Sequence, residues 1–170
     1  RRHFEHADGS PFFWLGDTAW LLFTRLDRAQ TMRYLDDRQA KDFTVIQVMV
    51  LHEADDRAAN GAAALIDGDP GRPRTTPGES PTDTHAYDYW DHVDWVVQQA
   101  AARGIYVALV PAWASVVNAG RLNAGNVAAY ATFLARRYRG AANVVWLVGG
   151  DAKGGEHVDV WNAMGRTLRA

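Results

Sequence analysis

Two rhythms alternate along this chain. The short apolar runs Phe12-Phe13-Trp14-Leu15, Thr44 to Leu51, Ile105 to Val110 and Val144 to Val148 are each followed by a segment whose apolar residues recur at helical spacing. Continuous apolar runs mark strands buried on both faces, and stripes at three- and four-residue spacing mark helices packed along one side. The first predicted helix spans Asp27 to Phe43, with Asp27 as N-cap and Ala29, Met32 and Leu35 on one face. The second spans Asp88 to Arg103, is striped by Val93, Val96, Val97 and Ala100, and stops at Gly104. A third opens at Asn123 or Asn126 and carries Val127, Tyr130, Leu134 and Tyr138, and a fourth runs from His157 towards Arg169 with Val158, Trp161, Met164 and Leu168 on one side. Strand then helix, four times over, predicts a parallel sheet with right-handed crossovers and the helices outside. Doubly wound sheet and barrel share this pattern, and at roughly 40 residues per unit four units amount to half of an eight-unit barrel.

Two stretches depart from the rhythm. Asp8-Gly9 is a hairpin-turn signal ahead of Phe12 to Leu15, which reads as the first buried strand. From Glu53 to Ala86 the chain is rich in Pro, Gly and Asp, with Pro70, Pro73, Pro77 and Pro81 among them. A loop of that length in a compact domain is usually functional, so it is a candidate lid or pocket wall, too poor in apolar residues to be a second domain.

Composition narrows the function classes. The 170 residues are 48% hydrophobic with a net charge of -2, enough to bury one core, and the chain is expected to form a single domain over 1–170. Basic residues are scattered rather than clustered, which argues against nucleic acid as a partner. There is no Cys, hence no disulfide frame and no thiolate chemistry. The apolar runs are too short for a bilayer span, and no membrane partner is expected. A start at Arg1 rather than Met suggests a segment excised from a longer protein. Seven Trp with six Tyr and six Phe are many for this length, and flat aromatic faces serve cores and sugar clefts alike.

Candidate chemistry gathers where the strands end. In α/β barrels the residues past the carboxyl ends of the strands form the active-site face. Here they are Gly16-Asp17-Thr18-Ala19-Trp20, His52-Glu53, Pro111-Ala112-Trp113 and Gly149-Gly150-Asp151. Parallel strands would bring Asp17, Trp20, Glu53, Trp113 and Asp151 onto one rim, with Trp113 and Trp146 flanking and partly desolvating Asp151. Glycosidic bond cleavage needs a proton donor for the leaving oxygen, a second carboxylate, and aromatic faces for sugar C–H groups. His52 beside Glu53 is a poor metal site, since strand neighbours point to opposite faces and no second His is suitably spaced. Gly149-Gly150 and Gly154-Gly155 around Lys153 lack the spacing of a phosphate loop. Asp91 and Asp94 read as first-turn helix charges.

Three separated motifs, Phe12-Phe13-Trp14-Leu15-Gly16-Asp17-Thr18-Ala19-Trp20, Tyr89-Trp90-Asp91-His92-Val93-Asp94-Trp95 and Val145-Trp146-Leu147-Val148-Gly149-Gly150-Asp151, resemble the apiosidase-like glycoside hydrolases in order and content. The resemblance implies a (β/α)8 TIM barrel, of which this chain is the N-terminal half, acting on plant-polysaccharide side chains such as apiose linked to galacturonan. It implies Asp151 as general acid/base, with Asp17 and Trp20 contacting substrate. The nucleophile, a Glu in that family, is expected outside this chain, and no cofactor or metal is implied. Secretion or a periplasmic location is implied likewise. The expected partner is an oligo- or polysaccharide. The alternative is a non-catalytic carbohydrate-binding or degenerate half-barrel that self-associates through its open sheet edges.

Overall fold

The computed structural model describes residues 3–83, 85–151 and 155–169. A two-stranded antiparallel hairpin comes first, β1 (Phe4–Glu5) and β2 (Pro11–Phe12). Its turn is held as the Asp-Gly pair predicts: Asp8 Oδ1 accepts from the Ser10 N–H at 2.9 Å, and Gly9 takes the left-handed φ of 85°. Then follow β3 (Gly16–Thr18), α1 (Leu22–Arg25), α2 (Arg28–Ala40) and β4 (Val45–Met49). The long connection carries a second hairpin, β5 (Leu65–Ile66) and β6 (Asp69–Pro73). The remaining elements are α3 (Tyr89–Ala101), β7 (Tyr106–Val110), α4 (Ala114–Asn118), α5 (Val127–Tyr138), β8 (Val144–Trp146) and α6 (Val158–Arg169).

The sheet order is β3-β4-β7-β8, parallel throughout, with helices as crossovers. This is the partial barrel-type architecture that the strand and helix rhythm predicts. Its core lies between sheet and helices: Ile46, Val48, Val107 and Leu109 meet Leu35, Trp90, Val93, Val96, Tyr130 and Leu134, all fully buried.

Four expectations need correction. The first barrel strand is Gly16–Thr18, not Phe12 to Leu15. Phe12 is taken up by the hairpin, its ring meeting Trp14 and Tyr106 edge-on at 6.3 and 5.1 Å, while Phe13 is 74% exposed. Because Gly16, Val45 and Tyr106 are register partners at the start of three strands, the aromatic run covers the amino end of the sheet instead of joining it. The second correction is to α2, which ends at Ala40 short of Phe43, where Asp42 turns left-handed at φ 58°. Third, of the two readings of residues 53–86, lid or pocket wall, the described residues are too well anchored for a free lid and leave the wall. Ala58, Ala64 and Leu65 reach the core, the Trp90 indole N–H donates to the Ala64 carbonyl at 2.9 Å, and Asn126 Nδ2 donates to Asp69 at 3.0 Å. Fourth, α4 is an unpredicted helix directly after the third core strand. Lys153 and Gly154, weighed above for phosphate binding, lie outside the described residues.

Caps fix where two of the large helices begin. Asp27 and Gln30 form a reciprocal capping box at α2. Asp88, only 4% exposed, accepts from Trp90 N–H and Asp91 N–H at the start of α3, while its other oxygen accepts from the Thr76 N–H at 2.6 Å. One carboxylate therefore starts α3 and fastens the long connection to it. Asp91 returns the box, bonding Asp88 N–H, and with Asp94 it pairs with Arg137 of α5. Asp88→Ala strands buried N–H groups, so unfolding free energy is expected to fall by about 2–3 kcal/mol and Tm by roughly 5–10 °C. Asp88→Asn keeps an acceptor for the helix and loses the Thr76 one, for about half that cost. Thermal melts of both variants check the order; equal melts for Asp88→Ala and the unsubstituted protein would refute the double role.

Candidate active site

At the carboxyl ends of the strands the backbone leaves the sheet, and its polar groups need new partners. The helix layer supplies them. The Tyr89 hydroxyl donates to the Val50 carbonyl and the Tyr130 hydroxyl to the Pro111 carbonyl, each at 2.6 Å and both buried. Burial drives both phenols well above their usual pKa, so each stays protonated as a fixed donor. Past β3, the Ala19 N–H bonds Gln47 O, and the Met49 N–H bonds Trp20 O, which keeps Trp20 at the sheet.

On this scaffold two of the expected aromatic residues meet. The Trp20 and Trp113 ring centroids are 5.6 Å apart at 47°, although their strands are separated by β4. The backbone after β8 lies against the same indole: a Cβ built on Gly150 would stand 2.9 Å from the Ala114 nitrogen and 3.2 Å from the Trp113 ring. Gly149 before it has φ 131°, a conformation that other residues rarely adopt. The double glycine is thus steric: one residue turns the chain out of the strand and the next lets it touch Trp113. Asp151 follows at once in the chain and is exposed.

Glu53 reaches the same rim through its backbone. The Trp113 N–H donates to Leu51 O at 2.8 Å, and Ser115 Oγ donates to His52 O at 2.7 Å. Asp56 Oδ2 accepts from the N–H groups of His52 and Glu53, at 2.6 and 3.1 Å. Burial pushes the Asp56 carboxyl above the usual range despite those two bonds. The side chains of His52 and Glu53 remain 38% and 47% exposed, with Nδ1 and Oε1 3.9 Å apart.

Asp17 is not brought to this rim. It lies inside β3 as register partner of Ile46, which faces the helices, and its Oδ2 accepts from Tyr34 OH at 2.8 Å and sits 3.2 Å from Arg38 Nε. Burial first, and then the bond to Asp17, raises the Tyr34 phenol well above its ordinary pKa. Asp17 thus ties β3 to α2. Trp146 is likewise turned away: partnered with Leu109, it takes the helix side and meets Tyr138 edge-on at 6.0 Å. Of the two indoles expected beside Asp151, Trp146 is on the helix side, whereas Trp113 lies against Gly150, the residue before it. Sequence reasoning missed Asp56 and Ser115; an Asp three residues beyond a strand-end carboxylate is a recurrent turn former and was the available signal.

Comparison with solved structures gives the class. The chain is similar to a glycoside hydrolase family 5 structure from Bacteroides vulgatus, at 34% identity and TM-score 0.87, over 99% of this chain and 35% of that one. A second glycoside hydrolase structure matches at 33% identity and TM-score 0.87, over 99% of this chain and 36% of that one. An endo-1,4-beta-mannanase from Rhizomucor miehei shares the fold, at 13% identity and TM-score 0.57, over 96% of this chain and 55% of that one. The domain is therefore of glycoside-hydrolase type in fold, and it spans about a third of the length of the first two structures. Comparison with curated proteins returns no match. The family model "Apiosidase-like, catalytic domain" matches residues 1–170, and the chain belongs to that family.

Gly150→Ala provides a check on the rim. The added methyl group meets backbone at Ala114 and the face of Trp113, so stability is expected to drop by about 1–3 kcal/mol as in overpacked cores. Indole fluorescence should shift as Trp113 moves. An unchanged melt and spectrum would show that the close approach does not exist.

Proposed function

We propose that this chain supplies the acid/base side of an O-glycosyl hydrolase site acting on side chains of plant cell-wall polysaccharide, with apiose linked to galacturonan as the model substrate. Trp20 and Trp113 serve as the aromatic floor on which a sugar ring lies, Glu53 as a hydroxyl acceptor at its edge, and Asp151 as general acid/base. The observation that supports the reading is the close approach of Gly150, the residue before Asp151, to Trp113, whose ring meets that of Trp20 at the strand ends. Aromatic faces take up sugar C–H groups, and a carboxyl next to them is within reach of a glycosidic oxygen. Asp151 gives its proton to the departing oxygen as the C–O bond breaks and the second carboxylate bonds to the anomeric carbon; water then displaces that carboxylate, its hydroxyl staying on the sugar and its proton returning to Asp151. The second carboxylate is expected outside this chain. Asp17, engaged by Tyr34 and Arg38, has no part in the scheme.

Leaving-group dependence tests the role of Asp151. In the protein that carries this chain, Asp151→Ala should slow cleavage of an apiosyl–galacturonan linkage by about 10²–10⁴-fold. A p-nitrophenyl glycoside, whose leaving group needs no proton, should lose much less in the bond-breaking step. Undiminished cleavage of the polysaccharide linkage would remove Asp151 from the mechanism. Oligosaccharide binding without turnover by the unsubstituted protein would instead assign a carbohydrate-binding role.

A further inference from the structure

The corner after β4 is more tightly held than any loop needs for stability. Over three consecutive residues, five backbone groups are bonded: Leu51 O by Trp113 N–H, His52 N–H by Asp56, His52 O by Ser115 Oγ, Glu53 N–H by Asp56, and Glu53 O by Asp56 N–H at 3.4 Å. The partners come from two different segments, Asp56 from the long connection and Ser115 from α4. Asp56 is in turn tied down, since its carbonyl accepts from the Ala64 N–H at 2.9 Å in a segment that reaches the core. The side chains presented by this corner stay partly open to solvent, His52 at 38% and Glu53 at 47% exposed, with His52 Nδ1 and Glu53 Oε1 3.9 Å apart. A well-held backbone with solvent-accessible polar side chains, at the carboxyl ends of parallel strands, is how a binding group is held in place before its ligand arrives.

Asp56 makes these bonds from a partly buried position: burial raises its carboxyl above the usual range although two N–H groups point at one of its oxygens.

We propose that Asp56 is a positioning residue, which fixes Glu53 against the sugar through the His52 and Glu53 amides without touching the sugar itself. The proposal rests on the reading of the rim as a carbohydrate site. Ser115 acts on the same corner from α4 through the His52 carbonyl, and the two together set the angle at which the Glu53 carboxylate meets a ring hydroxyl. Specificity would follow from that angle, because a carboxylate accepts well from one hydroxyl arrangement and poorly from its epimer.

A double-substitution cycle separates positioning from general support. The probe is an apiose-substituted galacturonan oligosaccharide, its Kd read from indole fluorescence in the protein that carries this chain. Glu53→Ala should weaken binding by about tenfold, the equivalent of one good hydrogen bond to a charged group. Asp56→Ala should cause a loss of similar size, while Asp56→Asn, which keeps an acceptor, should restore affinity to within about threefold. With both Glu53 and Asp56 changed to Ala, Kd should match that of Glu53→Ala alone, because there is no carboxylate left to position. Multiplying losses in the double variant, or an unchanged Kd for Asp56→Ala, would overturn the proposal. Should Asp56→Ala not fold, Ser115→Ala combined with Glu53→Ala is read in the same way. Intact oligosaccharide binding that Glu53→Ala leaves untouched would defeat this inference alone, whereas no binding by the unsubstituted protein would defeat the carbohydrate reading and this inference with it.

Discussion

Side-chain alternation across a parallel sheet decides what this molecule can place at its rim. In parallel pairing, residues in register point to the same face, so one choice of register assigns every side chain in a row. Here Asp17, Ile46, Val107 and Val144 form one such row, and Ile46 and Val107 face the helices within the core. Asp17 shares their direction and must find polar partners in the helix layer, which Tyr34 and Arg38 provide. The same rule turns Trp146 with Leu109 towards Tyr138. Chemistry is left to residues beyond the regular ladder, where local backbone geometry takes over from alternation.

That handover leaves carbonyl and N–H groups without ladder partners in a place where water is largely excluded. Leaving such a group unpaired costs about 1–3 kcal/mol, so the strand ends cannot be positioned without dedicated donors and acceptors. Tyr89, Tyr130, Ser115 and Asp56 fill this role, and all four come from segments other than the strands they serve. The long connection between β4 and α3 is held to the helix layer for the same reason. It brings Asp56 to the rim, and Asp88, Trp90 and Asn126 keep it down.

Much of this was legible in the chain. Helix starts could be read because a cap is a local interaction: Asp27 and Asp88 carry their partners within three residues. The strand and helix rhythm gave the parallel sheet, and the resemblance gave the family. Strand limits were less legible. Phe12 to Leu15 has the apolar content of a buried strand, but whether it joins the sheet depends on which residues pair with Val45, a contact of long sequence separation. The same holds for Asp17, whose place one residue inside β3 reverses its facing. Asp56 and Ser115 bond backbone, so their roles leave no mark in hydrophobic pattern or charge spacing.

The double glycine shows how a weak sequence signal becomes specific once coordinates are present. As a string, Gly149-Gly150 only superficially suggests a phosphate cradle, whose spacing it lacks, and is equally compatible with a flexible hinge or a plain turn. Its geometry separates these readings: φ 131° at Gly149 needs the freedom of a residue without Cβ, and a Cβ at Gly150 would stand only 2.9 Å from the Ala114 nitrogen and 3.2 Å from the Trp113 ring. A flexible hinge would require neither the fixed dihedral nor the contact. The two glycines are therefore a steric device that brings backbone onto an aromatic face, and the next side chain, Asp151, inherits its position from that contact. Asp151 is exposed and Trp113 half-buried, so the contact at this point of the rim is made by backbone and not by packing of the carboxylate. A side chain held in this way stays open to solvent while its origin on the chain is fixed.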